Sequence, residues 1–355
     1  MTKQKYYSIE AARGVAAVLV VLLHAGTGMA PEQYSGHVGL GGLFNFGRYG
    51  VDLFFVISGY IICKSSGFLS GETVKIFPYL VRRIFRIFPA YYFILLISLI
   101  INQFQRGRVQ VSPEWFARQL FFLDNPLFIS AAWTLQFEFI FYAVVAIALV
   151  SRTAGLIIAL FWGILMLHRA WFGGGGVSHD SLYEIVSNPY CVYFFIGAIG
   201  YYIEERYLIS ARLKAIGAGV AFVAIVAVAG VYIGADVHLP ELLVMTATGV
   251  LFMLLIAVGI FLEQRKILNF EFVSYFGRIS YSLYLCNILI LGLGSALMVR
   301  IGLYHYLSET AIIVIGLILC ICFADLMYRF VEIKFISFGR WLENFRESYL
   351  SRKWT

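Results

Sequence analysis

Ten apolar stretches, each close to the length that crosses a bilayer, follow one another between residues 9 and 330. A helix needs about 20 mostly apolar residues to span about 30 Å of hydrocarbon. The stretches cover 9–29, 49–65, 88–104, 132–150, 154–169, 190–204, 215–234, 240–261, 279–298 and 309–330, the fifth and sixth being the shortest. In lipid every backbone N–H and C=O must be satisfied internally, which leaves helices or closed barrels. Segments this long and continuously apolar read as helices. The 355 residues are 61% hydrophobic and only 13% charged, with a mean hydropathy of +0.83, more apolar surface than one soluble core can hide. The expected fold class is all-α integral membrane, with about ten transmembrane helices.

Positive charge sets the orientation, because cytoplasmic loops hold the excess of Lys and Arg. With the N-terminus inside, twenty of the 27 Lys and Arg residues fall in inner segments. Six (Arg48, Arg106, Arg108, Arg118, Arg169 and Arg300) fall in outer ones, and Arg13 lies within the first span. Both termini are therefore expected to be cytoplasmic. The net charge of +7 is accounted for by topology and anionic lipid, so no nucleic-acid partner is implied. Arg13 interrupts the first apolar run and Pro31 follows its only plausible cleavage point, so the run reads as a retained helix rather than a signal peptide. The five cysteines sit in or at the edges of spans, giving neither a disulfide framework nor a metal-ligand spacing.

Residues 1–332 read as one transmembrane domain and 333–355 as a cytoplasmic basic and aromatic tail suited to the inner leaflet. No further domain is expected after the last span. Pro89, in the run FPYLVRRIFRIFPAYYF, is expected to break an interfacial helix from the third span. The glycines of WFGGGGVSHD, Trp171 to Asp180, lack the Lys-Ser/Thr pair and following helix of a phosphate loop, and read as a flexible connector.

The chemistry-bearing residues begin in the first span, RGVAAVLVVLLHAG. Eleven helical steps return to within about 20° of the starting face, roughly 16 Å along the axis, so Arg13 and His24 share a stripe. An ionisable group within a span costs roughly 3 kcal/mol or more at the bilayer centre, which makes each one a functional candidate. His24, Asp52 in GVDLFFVISGY and Glu138 in WTLQFEFIFY all lie at one expected depth, near the outer face. A histidine beside a carboxylate can be held in one tautomer and take a proton from a hydroxyl. The same groups can equally serve as polar glue between helices, and Asp52 as a helix-start cap.

On the cytoplasmic side, Arg82, Arg83 and Arg86 combine i,i+3 and i,i+4 spacings, so at least two guanidinium groups share a face. They suit multidentate phosphate binding as well as the setting of topology. Arg13, at the inner end of the His24 stripe, is a further anion ligand. Phosphates at an inner mouth, a reactive group about 16 Å deeper and an acceptor arriving from outside ask for an elongated donor. Coenzyme A thioesters have that shape.

These motifs resemble those of the family-3 integral membrane acyltransferases, which O-acetylate bacterial exopolysaccharides, O-antigens and related glycans. The family's Arg-x10-His falls on Arg13 and His24, and its GVDxFFxxSGF/Y on Gly50 to Tyr60 with Ser58. Its Arg-rich segment before proline falls on Arg82, Arg83, Arg86 and Pro89, and its WSLxxExxFY-like element on Trp133, Glu138 and Tyr142. SYSLYLxH falls on Ser280 to Asn287, with Tyr284. The resemblance runs from about residue 6 to 332. It implies acetyl-CoA as acyl donor, bound from the cytoplasm near Arg13 and the arginine cluster, no metal, and His24 essential for transfer. Asn287 departs from the pattern, since histidine is common there and an amide cannot shuttle a proton.

The function expected is transfer of acetyl from cytosolic acetyl-CoA to a sugar hydroxyl of a lipid-linked or nascent surface polysaccharide, in the bacterial inner membrane. His24 is the general base, or less favourably a transient acyl carrier, with Glu138 and, after it, Asp52 orienting and charge-balancing it. Ser58, Trp133, Tyr142, Tyr284 and Asn287 are substrate-side or structural polar positions. Expected partners are the bilayer, the glycan acceptor and polysaccharide assembly proteins. Three rivals stand beside this reading: transfer of another acyl group such as succinyl, a proton-coupled flippase using the same buried groups, and a catalytically silent assembly subunit.

Overall fold

The computed structural model describes residues 6–29, 39–67, 75–106, 111–123, 126–172, 182–206 and 241–352. Among these residues the regular structure is helical, without strands. The α-helices are α1 (Tyr7–Gly28), α2 (Tyr49–Ser66), α3 (Ile76–Arg106), α4 (Pro113–Leu120), α5 (Trp133–Val150), α6 (Arg152–Phe172), α7 (Leu182–Val186), α8 (Val192–Arg206), α9 (Glu241–Gln264), α10 (Glu271–Arg278), α11 (Ser280–Arg300), α12 (Glu309–Met327) and α13 (Ile333–Arg352). Eight helical segments of the described residues are long and apolar enough to cross a membrane. On α6, Leu156, Ile157, Leu160, Phe161, Ile164 and Leu167 are all exposed. Such an apolar surface calls for lipid rather than water. The protein is an all-α, multi-pass integral membrane protein.

The observed helices refine the expected spans. The fifth, read as 154–169, extends over the 21 residues of α6. The sixth is the 15-residue α8, about 22 Å long and shorter than the hydrocarbon core. The stretch 215–234 and the glycines of 173–176 lie outside the described residues. At Pro89 the expectation fails: α3 runs unbroken for 31 residues with the proline inside it, about 46 Å of helix. Proline removes one backbone donor, and membrane helices tolerate this where a neighbour satisfies the surrounding groups. The carbonyl left without its helical donor is that of Phe85; two residues on, the Tyr281 hydroxyl of α11 donates to the Ile87 carbonyl at 2.9 Å and braces α3 beside the proline.

The chain forms two compact units. The first comprises Met1–Gly14, Val51–Val74 and Phe137–Gly277. Its core is aromatic: Phe55 lies 4.8 Å from Phe194 and 6.1 Å from Phe137 between ring centroids, and Phe194 stacks on Phe141 at 5.0 Å. α2 and α8 meet backbone to backbone. A Cβ at Gly59 would run into the Phe194 carbonyl, and one at Gly197 into the Val56 carbonyl. Small residues are what permit helices to approach so closely in a membrane.

The start of α1 is held in this unit by a distant carboxylate. Glu263, near the end of α9, accepts from the Tyr7 and Ser8 amides, both at 2.8 Å. These are orphan donors of a first helical turn, and the negative charge also suits the helix dipole. Glu263→Ala is therefore expected to cost about 1 kcal/mol, the worth of a typical N-cap. Thermal unfolding in detergent reads this as a lower midpoint; an unchanged midpoint would remove Glu263 from the role.

The second unit comprises Val15–Gly50, Lys75–Gln136 and Arg278–Thr355. α12 passes through a π-helical turn, Tyr328–Glu332, directly into α13. Glu332, 2% exposed, accepts from the Ser282 amide at 3.0 Å and from the Ser282 hydroxyl, pinning the first turn of α11. α13 packs on the first half of α3: Phe338 meets Phe85 edge-on at 5.4 Å, and Gly339 lies against the Phe85 side chain. Its Trp341, Phe345 and Tyr349 remain exposed, an aromatic stripe suited to a membrane interface.

Candidate active site

In the second unit, the His24 Nδ1 lies 2.6 Å from Asn287 Oδ1. Asn287 is fully buried in the second turn of α11, and its Nδ2 donates to the Tyr284 carbonyl one turn back. A carbonyl oxygen only accepts, so that contact fixes which end of the amide is nitrogen. The other end is oxygen and must accept from His24. His24 is thereby held as the Nδ1–H tautomer, with the Nε2 lone pair left to act as a base. Among the described residues this is the hydrogen bond that His24 makes. The group orienting the histidine is an amide from a position that the sequence marks only as a departure from the family pattern.

Arg82, Arg83 and Arg86 lie on the cytoplasmic half of α3 in the expected topology. Arg82 is engaged by Glu343 of α13: its Nε lies 3.0 and 3.1 Å from the two carboxylate oxygens, and its Nη2 2.7 Å from one of them. The Arg82 side chain is 56% exposed and that of Glu343 9%, so the pair is worth at most about 1 kcal/mol. Arg83 is half-buried, its guanidinium 5.7 Å from the centre of the Tyr79 ring. Arg86 is half-buried and has no ion pair among the described residues. Trp133 opens α5, half-buried, and Tyr284 is 8% exposed.

In the first unit, Glu138 is the centre of a small network. Its Oε1 accepts from the Tyr142 hydroxyl at 2.6 Å, one turn along α5, and from the Ser58 hydroxyl of α2 at 3.4 Å. Asp52, in the first turn of α2 and 6% exposed, accepts from the Tyr193 hydroxyl of α8 at 3.0 Å. Arg13 is half-buried on α1, which continues without a break from Tyr7 to Gly28.

A model of the family-3 acyltransferase domain matches residues 6–329. The chain belongs to the family-3 acyltransferases. Comparisons with curated proteins and with solved structures return no match. Within this acyltransferase two groups of motif residues are bonded within single units, although Arg13 and His24, and Trp133 and Glu138, fall in different ones. Ser58, Glu138 and Tyr142 are bonded together in one, and His24, Asn287 and Tyr284 in the other.

Three polar residues of the acyltransferase were not legible as partners. Tyr193 gives no signal against the many other tyrosines of the chain. Glu343 sits in the basic tail, where an acidic residue reads as ordinary surface. Glu332 could have been found, since it stands two residues beyond the last expected span and the rule for buried charge applies to it equally.

Proposed function

We propose that this acyltransferase is an enzyme of the bacterial inner membrane that moves acetyl from cytosolic acetyl-CoA to a sugar hydroxyl of a lipid-linked or nascent surface polysaccharide. The observation that carries the reading is the fixed tautomer of His24. A neutral imidazole with one nitrogen tied down and the other unprotonated is a positioned general base. The acceptor hydroxyl gives its proton to Nε2 as its oxygen bonds to the thioester carbonyl carbon. The tetrahedral intermediate then collapses: the carbon–sulfur bond breaks, and the departing thiolate takes the proton back from the imidazolium. The products are an acetyl ester and free coenzyme A, and His24 is regenerated.

Glu138 and Asp52, each held by a tyrosine hydroxyl, are the carboxylates assigned to balancing the positive charge that develops on the imidazole. Arg13, Arg83 and Arg86 are assigned to the donor's phosphates. Arg82 joins them with the Nη1 edge that Glu343 leaves open. In the expected topology, about 16 Å of α1 separates Arg13 from His24, a reach suited to the pantetheine arm between the phosphates and the thioester.

The test supplies acetyl-labelled acetyl-CoA to the cytoplasmic face of membrane vesicles that hold the protein and its native glycans. Label is expected on glycan at the opposite face. If no label moves while native glycan is present, acetyl-CoA is not the donor, and the same vesicles supplied with succinyl-CoA test the next acyl group.

A further inference from the structure

Within the second unit, an open groove of about 470 Å³ runs between α3 and α11, a volume in the range of ligand sites. Its α11 wall is one face of the helix, formed by Leu285, Ile288, Gly292 and Ala296 among others. Asn287 falls on the opposite face, about 180° round the helix. α11 therefore presents the histidine's partner on one side and the groove on the other. Ile288, Gly292 and Ala296 are exposed, whereas Ile94 and Ser98 form a buried floor on α3. Both walls are membrane-spanning helices, so the groove opens where its occupant is a lipid chain.

Two features argue for a particular lipid. The lining carries no charged residue but does carry three polar ones, Ser98, Asn102 and Ser130. Ser98 is 7% exposed, and its hydroxyl makes no hydrogen bond among the described residues. The Asn102 Nδ2 donates to the Ser98 carbonyl at 3.0 Å, and its Oδ1 and the Ser98 hydroxyl are groups available to an occupant among the described residues. Beyond the groove, one turn past Ala296, α11 ends in the exposed Arg300. Apolar walls, uncharged hydrogen-bonding groups and then a cationic helix end match an alkyl chain that terminates in phosphate. Gly292 adds an independent sign. A Cβ there would meet nothing within 4 Å, so the glycine is not required by helix packing and serves to keep the groove open.

We propose that this groove holds the chain of a phosphate-linked lipid carrying the sugar acceptor, with the phosphate at the arginine-bearing end of α11. The acceptor is then lipid-linked rather than finished polymer, an assignment that rests on the acyltransferase reading above.

The experiment uses the full-length protein in nanodiscs with a photoactivatable polyprenyl phosphate, followed by mapping of the labelled peptides. Saturable labelling of 285–296 or 94–102, competed by unlabelled polyprenyl phosphate, is expected. Gly292→Trp, whose side chain fills the groove, should cut labelling at least tenfold and leave the thermal midpoint within two degrees. If Gly292→Trp does not fold, Ala296→Phe replaces it with the same expectation. Equal labelling by a photoactivatable phosphatidylglycerol identifies an ordinary lipid site and overturns the proposal, as does labelling that survives the filled groove. Because the readout is binding, failure of acetyl transfer would leave it untouched, so the two readings fail separately.

Discussion

His24→Ala is expected to lower acyl transfer about 1,000-fold, the middle of the range for losing a positioned general base and equivalent to about 4 kcal/mol of barrier. The size follows from the geometry around Asn287. With Nδ1 committed as a donor, Nε2 is the single basic atom that the side chain offers, and alanine removes it. The replacement also strands a fully buried amide oxygen, at a cost of about 1–3 kcal/mol of stability. The rate must therefore be measured on protein shown to be folded. Added imidazole, which can enter the space vacated by the ring, should restore part of the rate. Full activity in a folded His24→Ala protein would remove the mechanism.

The second large effect belongs to Asn287 and separates orientation from chemistry. Asn287→Leu leaves the Nδ1–H of His24 without its acceptor and frees the ring to turn or change tautomer. About a 100-fold loss of kcat is expected, the lower end of what a positioned base contributes, with KM for donor and acceptor within about twofold. Asn287→Asp keeps an acceptor for Nδ1–H although it no longer donates to the Tyr284 carbonyl, and should stay within about tenfold of the parent. A structural role alone would make leucine and aspartate equally harmful through stability. Equal loss in both variants, tracking their thermal midpoints, would therefore end the positioning argument.

The contrast between His24 and Asn287 also shows what a linear sequence can reveal. His24 stood out because lipid penalises ionisable groups, and that penalty is written into any apolar run that contains one. Its partner lies 263 residues away. Asn287 is uncharged and could be noticed only as a mismatch to a family pattern, and no periodicity links the two helices. The networks at Glu138 show the other case, since Tyr142 is one turn along and the spacing alone makes that bond available. The existence of eight spans was legible from length and hydropathy, whereas helix ends were not. Pro89 reads as a breaker on local propensity, yet α3 continues through it, braced nearby by a tyrosine from α11, a tertiary contact invisible to local rules. The engagement of Arg82 was hidden for the same reason: the arginine cluster announces itself by spacing, but Glu343 arrives from a helix 261 residues away.

The seam where α2 meets α8 has a consequence for motion. Gly59 and Gly197 each press against a carbonyl of the opposite helix, and the Asp52–Tyr193 bond ties the same pair nearer the start of α2. Two rods interlocked at both points cannot shear or roll past one another without breaking at least one of them. Whatever rearrangement admits substrate and releases product must leave this pair as a fixed axle, with the displacement taken up by other segments. Interhelix distances measured by paired spin labels should accordingly stay constant between α2 and α8 through a turnover cycle, even where labels elsewhere in the protein report movement.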